Sequence, residues 1–364
     1  MKTIERHQTS ELRRRLQEPP HQLIVVSGPR QVGKTTMVRQ VLGGQLHDFW
    51  ATDDHSAYHS NWQDSQTTSH RVAGTPSTAQ HLAQRWQQAR KKARDFNNQN
   101  PQAPCFVLVI DEIQKIKDWS EVVKGLWDAD RAQNIPLHVV LLGSSPWLMQ
   151  KGLKESLAGR FELIRMPHWS YQEMQDAFDF SLNEYIYFGG YPGSAKILRD
   201  AGEARWGSYV RDSLISPAIN NDILQMVRVD KPALLKRLFE LGCGHYFAQI
   251  MALNKVLGNL HEAGNTTTLT HYLELLSRSW LLTGLQKATD ALRQRQSPPK
   301  FMPHNTALIS AQSNYSFAEA QNDRSHWGRL VESAVGAHFI NHQPEDYQLL
   351  YWRDGGQEVD FVLQ

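Results

Sequence analysis

Eight residues near the N-terminus, Gly28-Pro29-Arg30-Gln31-Val32-Gly33-Lys34-Thr35, fit the spacing G-x-x-x-x-G-K-[ST]. The chemistry of that spacing is phosphate binding. Glycines let backbone N–H groups converge on an anion without Cβ clashes. A helix that starts at the lysine turns its positive end toward the same charge. The ammonium of Lys34 is placed to reach β- and γ-phosphate oxygens, and the Thr35 hydroxyl to bind Mg2+. Gly28 to Thr36 is therefore the predicted nucleotide-binding segment, Thr36 included. The plain alternative is a glycine-rich turn with a solvated lysine. The position of the loop, after a short apolar run and before a helix, favours the phosphate reading.

A second group suits the same chemistry. Phe106-Val-Leu-Val-Ile110 is a hydrophobic strand that ends in Asp111-Glu112. At the C-terminal end of a parallel strand, Asp111 would face the phosphate site and hold the hydration shell of Mg2+. Glu112 would orient or deprotonate the attacking water. Two acids also end many strands simply because strands end in water, so the pair gains its meaning from the phosphate loop. A third strand ends in Gly143-Ser144-Ser145, where Ser144, favoured over Ser145, would contact the γ-phosphate or the water; the alternative is a strand-end turn. Arg160, in ESLAGRFEL, would stabilise transition-state charge from its own subunit or a neighbour's, the latter implying an oligomer. Its alternative is a salt-bridged surface arginine.

These residues need a framework of alternating strands and helices. Leu23 to Val26, Phe106 to Ile110 and Leu137 to Leu142 are short, β-branched apolar runs of the kind buried in parallel sheets. An opening amphipathic helix with Ile4, Leu12 and Leu16 on one side, a helix ending near Gly43-Gly44, one over roughly 78–96 and one near 119–131 supply the covering layers. Beyond Arg160 the strand signal fades. Residues 170–290 read as mainly helical, broken at Gly189 to Gly193. Within them, 232–290 read as three short helices followed by a possible β-wing, LLTGLQKA. Residues 293–300 and 311–326 read as linkers or loops. A helix over 327–341 and a hairpin around Asp354-Gly355-Gly356 follow.

GPRQVGKTT, VIDEIQKI, LLGSSP and ESLAGRFEL, in this order, resemble a family of bacterial and archaeal AAA-type ATPases. The resemblance continues through HWSYQEM, YFGGYPG, NNDIL, TLTHYLELL, PKFMPHNTAL and GRLVESAVGAHF to EVDFVL. It implies an α/β fold: a P-loop NTPase parallel sheet with helices on both faces, followed by a helical lid, a winged-helix-like region and a partial C-terminal α+β domain. The corresponding expected spans are 1–168, 169–230, 231–310 and 326–364. The implied activity is Mg-ATP binding and hydrolysis, coupled to conformational change in the C-terminal half. The rival reading is a nucleotide-dependent switch, a binding module for DNA or an unknown protein partner with little turnover.

The C-terminal domain implied by the resemblance is similar to PD-(D/E)xK nucleases. Glu332 and Asp360 match the first two acids of that pattern. The third strand, with its acid–lysine pair, does not follow before Gln364. The expectation is a vestigial site in a truncated chain, without nuclease activity.

Composition sets the remaining limits. The 39 Lys+Arg and 37 Asp+Glu leave a net charge of +2, which argues against a chain that coats DNA or a membrane surface. Two cysteines, Cys105 and Cys243, build no disulfide framework, and the charged start has no secretory h-region, so a cytoplasmic protein is the default expectation, without a membrane partner. TTTLTHYL, with Thr266 as the expected N-cap, resembles a recognition helix but is poor in cations, so domain packing is favoured over DNA contact. His55 and His59 beside Asp53 and Asp54 read as surface residues. His261-Glu262 lacks the second histidine of a zinc protease, Asn265 standing in its place. Trp119, Trp127, Trp147 and Trp169 read as core or lid aromatics.

Overall fold

The computed structural model describes residues 4–52, 78–144, 152–153, 156–224, 227–258, 265–290, 294, 297–344 and 346–364. The chain divides into two compact units. One comprises Glu5–Gly28 and Gly33–Met166; the other comprises Pro167–Gln364 together with Met1–Ile4 and the four loop residues Pro29–Val32.

The first unit is built on a five-stranded parallel sheet in the order β2-β3-β4-β1-β5. Its strands are β1 (Leu23–Ser27), β2 (His47–Ala51), β3 (Phe106–Asp111), β4 (Leu137–Gly143) and β5 (Phe161–Arg165). The three inner strands are buried along their whole length, as their unbroken apolar runs require. The helices are α1 (Gln8–Gln17), α2 (Lys34–Val41), α3 (Ala79–Gln99) and α4 (Trp119–Ala132). Leu82, Trp86 and Ala89 of α3 and Val123 and Trp127 of α4 pack with Leu23, Val25, Leu108, Ile110, Val139 and Leu141, one alternating set of sheet residues. The opposite set, Ile24, Val26, Val107, Val109, Val140 and Leu142, is as fully buried, as are Leu12 and Leu16 of α1 and Met37 and Val38 of α2. Asp130 of α4 is buried too, taking the indole N–H of Trp86 at 2.6 Å and pairing with Arg90. This is a P-loop NTPase α/β fold.

The sequence pattern missed β2 and β5. Both lie at the sheet's edges. HDFWA and FELIR are only partly buried and mix polar with apolar side chains, so neither shows the continuous apolar run of an inner strand. The fading of strand signal after Arg160 was thus the signature of an edge strand. The opening helix starts at Gln8, so Ile4 precedes it.

The second unit begins with α5 (Tyr171–Phe178), α6 (Leu182–Phe188) and α7 (Pro192–Tyr209), the last interrupted at Gly202, where φ is 79°. Two π-helical turns follow, Val210–Ile215 and Ala218–Leu224. Next come α8 (Pro232–Gly244), α9 (Leu253–Gly258) and α10 (Thr266–Arg278), whose N-cap is Asn265 and not Thr266: the Asn265 side chain accepts from the Thr268 N–H at 2.7 Å. Strands β6 (Leu282–Lys287) and β7 (Lys300–Pro303) precede α11 (Ala307–Ser310), α12 (Phe317–Asn322) and α13 (Arg324–His342). The unit closes with the hairpin β8 (Leu349–Asp354) and β9 (Gln357–Leu363), whose turn glycines Gly355 and Gly356 both take positive φ.

These last strands form one sheet, β7-β6-β8-β9, in which β6 pairs antiparallel with β7 and parallel with β8. The expected 231–310 and 326–364 regions therefore share a sheet. Two loop expectations meet regular structure. Lys300, the last residue of the 293–300 stretch, opens β7, whose four residues are all buried. Within 311–326, Ser316 and Glu319 form a capping box that starts α12, a helix too short to show a 3.6-residue period. Cys105 and Cys243 are free. No helix among the described residues is long and apolar enough to cross a membrane.

Candidate nucleotide site

The order of strands decides which side chains meet. Because β4 lies between β3 and β1, the end of β4 falls between the acids that follow β3 and the loop that follows β1. The loop itself is shaped by close approach. A Cβ on Gly28 would stand 2.0 Å from the carbonyl oxygen of Met166, whose N–H donates to Ser27 at 2.8 Å. Gln31 and Gly33 take φ of 63° and 90°, and Gly33 is the N-cap of α2. Val32 is buried, and its carbonyl accepts the indole N–H of Trp169 at 2.9 Å. The side chain of Arg30 forms a two-pronged ion pair with Asp222.

Lys34 is 7% exposed, and its Nζ donates to the Gly28 carbonyl at 2.9 Å. The Thr35 hydroxyl donates to Asp111 Oδ2 at 2.8 Å, while the Glu112 N–H donates to Asp111 Oδ1 at 3.0 Å. Burial raises the Asp111 pKa; the Thr35 hydrogen bond opposes the rise and the neighbouring charge of Glu112 adds to it. Glu112 adopts a left-handed backbone, φ 54°, directly after the strand. Its Oε2 accepts from the Ser144 hydroxyl at 2.8 Å and from Gln114 Nε2 at 2.6 Å. Thr52, just past β2, donates from its hydroxyl to the Glu112 carbonyl at 2.8 Å. Strand neighbours thus fix both ends of the glutamate.

Gln114 lies two residues beyond Glu112 in the VIDEIQKI segment, whereas Thr52 had no motif to announce it and becomes visible only through the sheet order. Gln114 is buried, and its Oε1 has no hydrogen-bond partner among the described residues. The Thr35 hydroxyl on the Asp111 carboxylate is a pair of oxygen donors, of the hard type that suits Mg2+. Thr35 and Asp111 are the residues that fit it.

Arg160 is not brought to this site. It precedes β5 at the level of Leu23, whose N–H donates to the Arg160 carbonyl at 2.9 Å. The phosphate loop leaves the other end of β1, four residues or about 13 Å further along the strand. The Arg160 guanidinium instead grips Asp128 of α4 through bonds of 2.8 and 3.1 Å. A role for Arg160 at its own subunit's phosphate loop is therefore corrected: the parallel register puts it at the opposite end of the strands.

Glu332 and Asp360 do come together, around a residue that sequence reasoning left in a linker. Lys300 of β7 is 1% exposed, and its Nζ lies 2.6 Å from Glu332, 2.5 Å from Asp360 and 3.2 Å from Glu358. Burial pulls the Lys300 pKa down, but hydrogen bonds to Asp360 and Glu332 outweigh it and leave the pKa raised. Burial raises that of Glu332. Gly336, one turn beyond Glu332, brings α13 close to the strands, since a Cβ there would meet the Met302 sulfur at 2.5 Å and the Phe361 ring at 2.9 Å. Among the described residues, no group of three or more His, Cys, Asp or Glu is arranged to hold a metal.

The segments shared with the resembled family also find a structural reason. Asn305 Oδ1 accepts from the Gly190 N–H at 3.2 Å and the Ala307 N–H at 3.1 Å, and its Nδ2 lies 3.1 Å from His168 Nδ1. Gly189, φ 69°, leaves no room for a Cβ, which would stand 2.0 Å from Asn305 Oδ1. Trp119, Trp127 and Trp169 are buried, as expected of core aromatics. Asp53, Asp54, His55, His59, Ser145, Trp147, His261 and Glu262 lie outside the described residues.

Residues 20–175 match the family model described as an AAA domain. Residues 179–319 match one described as a domain of unknown function. Uncharacterized proteins of Mycobacterium bovis and Mycobacterium tuberculosis are each 28% identical over 313 residues, or 84% of this chain. The chain spans 58% of the length of these curated relatives. Among solved structures, the Walker-type ATPase of Pyrococcus abyssi aligns over 85% of this chain and 96% of its own, with a TM-score of 0.57 and 15% identity, a likeness of fold.

Proposed function

We propose that this chain is an AAA-type ATPase that binds Mg-ATP at Gly28–Thr36 and hydrolyses it with Glu112. The observation that carries the reading is the 2.8 Å hydrogen bond from Thr35 to Asp111, which joins the phosphate loop to the acid strand in one oxygen-lined site. Lys34 would exchange its backbone carbonyl for phosphate oxygens, a charge-assisted and stronger bond. Mg2+, held through Thr35 and Asp111, would supply charge neutralisation of the phosphates. Glu112, fixed by Ser144 and Gln114, holds a carboxylate oxygen where a water can be oriented and its proton accepted. Ser144 acts through Glu112 and need not touch the γ-phosphate itself.

Arg160 retains a role only in trans, presented to the site of a second copy. Hydrolysis then changes the conformation of the C-terminal half, whose target is an unknown protein partner; the cation-poor α10 weighs against DNA. The Lys300 cluster we read as structural: the buried lysine neutralises the three carboxylates around it.

The test is Glu112→Gln. Turnover should fall about 10²- to 10⁴-fold, the usual contribution of a general base, with ATP affinity retained. Equal turnover of parent and variant, or a parent that binds ATP without turnover, would favour the nucleotide-dependent switch.

A further inference from the structure

The tip of the phosphate loop, Pro29–Val32, groups in one compact unit with Pro167–Gln364. Two side chains of that unit hold this four-residue tip. Asp222 receives both prongs of Arg30, Nε to Oδ2 at 2.5 Å and Nη2 to Oδ1 at 2.5 Å. Trp169 donates its indole N–H to the carbonyl of Val32 at 2.9 Å. Asp222 is 6% exposed and sits in the π-helical turn Ala218–Leu224, an uncommon conformation found disproportionately at functional sites. Neither residue belongs to a phosphate-binding motif, and the Arg30 guanidinium is committed to a carboxylate.

We propose that Asp222 and Trp169 are positioning residues of the nucleotide site, which set the affinity for ATP by holding the loop tip Pro29–Val32. The inference rests on the ATPase reading and names its regulation. A phosphate loop binds only when its backbone N–H groups converge, which here requires the positive φ values of Gln31 and Gly33 on either side of Val32. Arg30 and Val32 flank Gln31, so their two anchors hold the strained residue between them. Loosening either anchor lowers the fraction of loops in the binding conformation and raises the apparent Kd by the same factor. By linkage, whatever shifts the turn bearing Asp222 changes ATP affinity, and ATP binding shifts that turn in return.

The experiment measures Mg-ATP affinity, turnover and amide hydrogen exchange of residues 28–35 in the full chain, for the parent, Asp222→Asn, Arg30→Ala, the double variant and Asp222→Glu. Expected are a roughly 10- to 100-fold higher Kd and KM with kcat within about threefold, faster exchange of the loop amides, a double variant no weaker than either single one, and partial recovery in Asp222→Glu. Trp169→Phe, which keeps the aromatic bulk and removes the donor, should raise Kd in the same direction. Parent-like Kd and exchange in Asp222→Asn, or additive effects of the two single substitutions, would overturn the proposal. If the parent binds no ATP, the functional reading fails. The loop-positioning claim then stands or falls on the exchange data, with faster exchange in Asp222→Asn supporting it and unchanged exchange refuting it.

Discussion

Two buried lysines, Lys34 in the N-terminal unit and Lys300 in the C-terminal one, do opposite things with the same ammonium group. Lys34 donates to a neutral backbone carbonyl of its own loop, at the start of a helix and beside acids that belong to a neighbouring strand. Lys300 lies among three carboxylates at 2.5, 2.6 and 3.2 Å. The first stands at a helix N-terminus in a phosphate-loop motif, an arrangement that draws an arriving anion. In the second the lysine is itself the cation that three acids require. Acids and a lysine within a few ångströms are thus not enough to define a catalytic centre; the motif in which the lysine stands separates the two.

The largest effect that sharpens this contrast is on folding. Lys300→Met should leave Glu332, Glu358 and Asp360 without their cation and cost about 1.5–3 kcal/mol, the range for hydrogen bonds to charged groups, because the acids left behind are partly exposed. Denaturant unfolding of the C-terminal unit reads this directly. The pH dependence has a definite sign. Because the Lys300 pKa is raised above its ordinary 10.5, its contribution is complete below that value and is lost as pH climbs through the raised one. The gap between parent and variant should therefore be level from neutral pH to about 10 and shrink beyond. A Lys300→Met variant as stable as the parent would remove the structural reading of the cluster.

A smaller effect of opposite sign belongs to the nucleotide site. The raised pKa of Asp111 means that its charged form costs stability, absent below the ordinary carboxylate range and complete above the raised value. Asp111→Asn should therefore raise the melting temperature of the nucleotide-free protein at neutral pH by a few degrees, about 2–4 °C per kcal/mol for a unit of this size, while weakening the response of that temperature to Mg-ATP. A lower melting temperature would show that Asp111 is a structural acid. Last, no change at all is expected in one assay. Purified chain with Mg2+ or Mn2+ should cleave neither DNA nor RNA, and cleavage lost on Asp360→Ala would contradict the role given to Lys300.

The nucleotide site was legible because its parts are local in sequence. Gly28 to Thr35 is one loop, and Asp111-Glu112 ends one apolar strand, so spacing and hydrophobic pattern were sufficient to find both. What escaped depends on contacts distant in sequence. Thr52 matters because β2 and β3 are neighbours, and β2 gave no apolar run since it forms a sheet edge. Arg160 fitted a role by motif, and register removes only its action in cis, because a parallel β5 starts where β1 starts. Lys300 was hidden in a segment punctuated by prolines; its burial follows from the pairing of β7 with β6, which periodicity over four residues cannot reveal. Glu332 and Asp360 were found from a pattern, but their meaning changed once the lysine between them was seen.

The central claim is that Lys34 is a lysine awaiting a phosphate, and isothermal calorimetry tests it most directly. Mg-ATP titrated into the full chain should give a saturable, Mg2+-dependent signal with a stoichiometry near one per chain. Lys34→Ala, folded by circular dichroism and melting with the parent, should weaken binding by about 100-fold or more, the loss expected when a charge-assisted contact to phosphate is removed. Equal affinity in parent and variant would contradict the assignment of the phosphate loop and, with it, the ATPase reading.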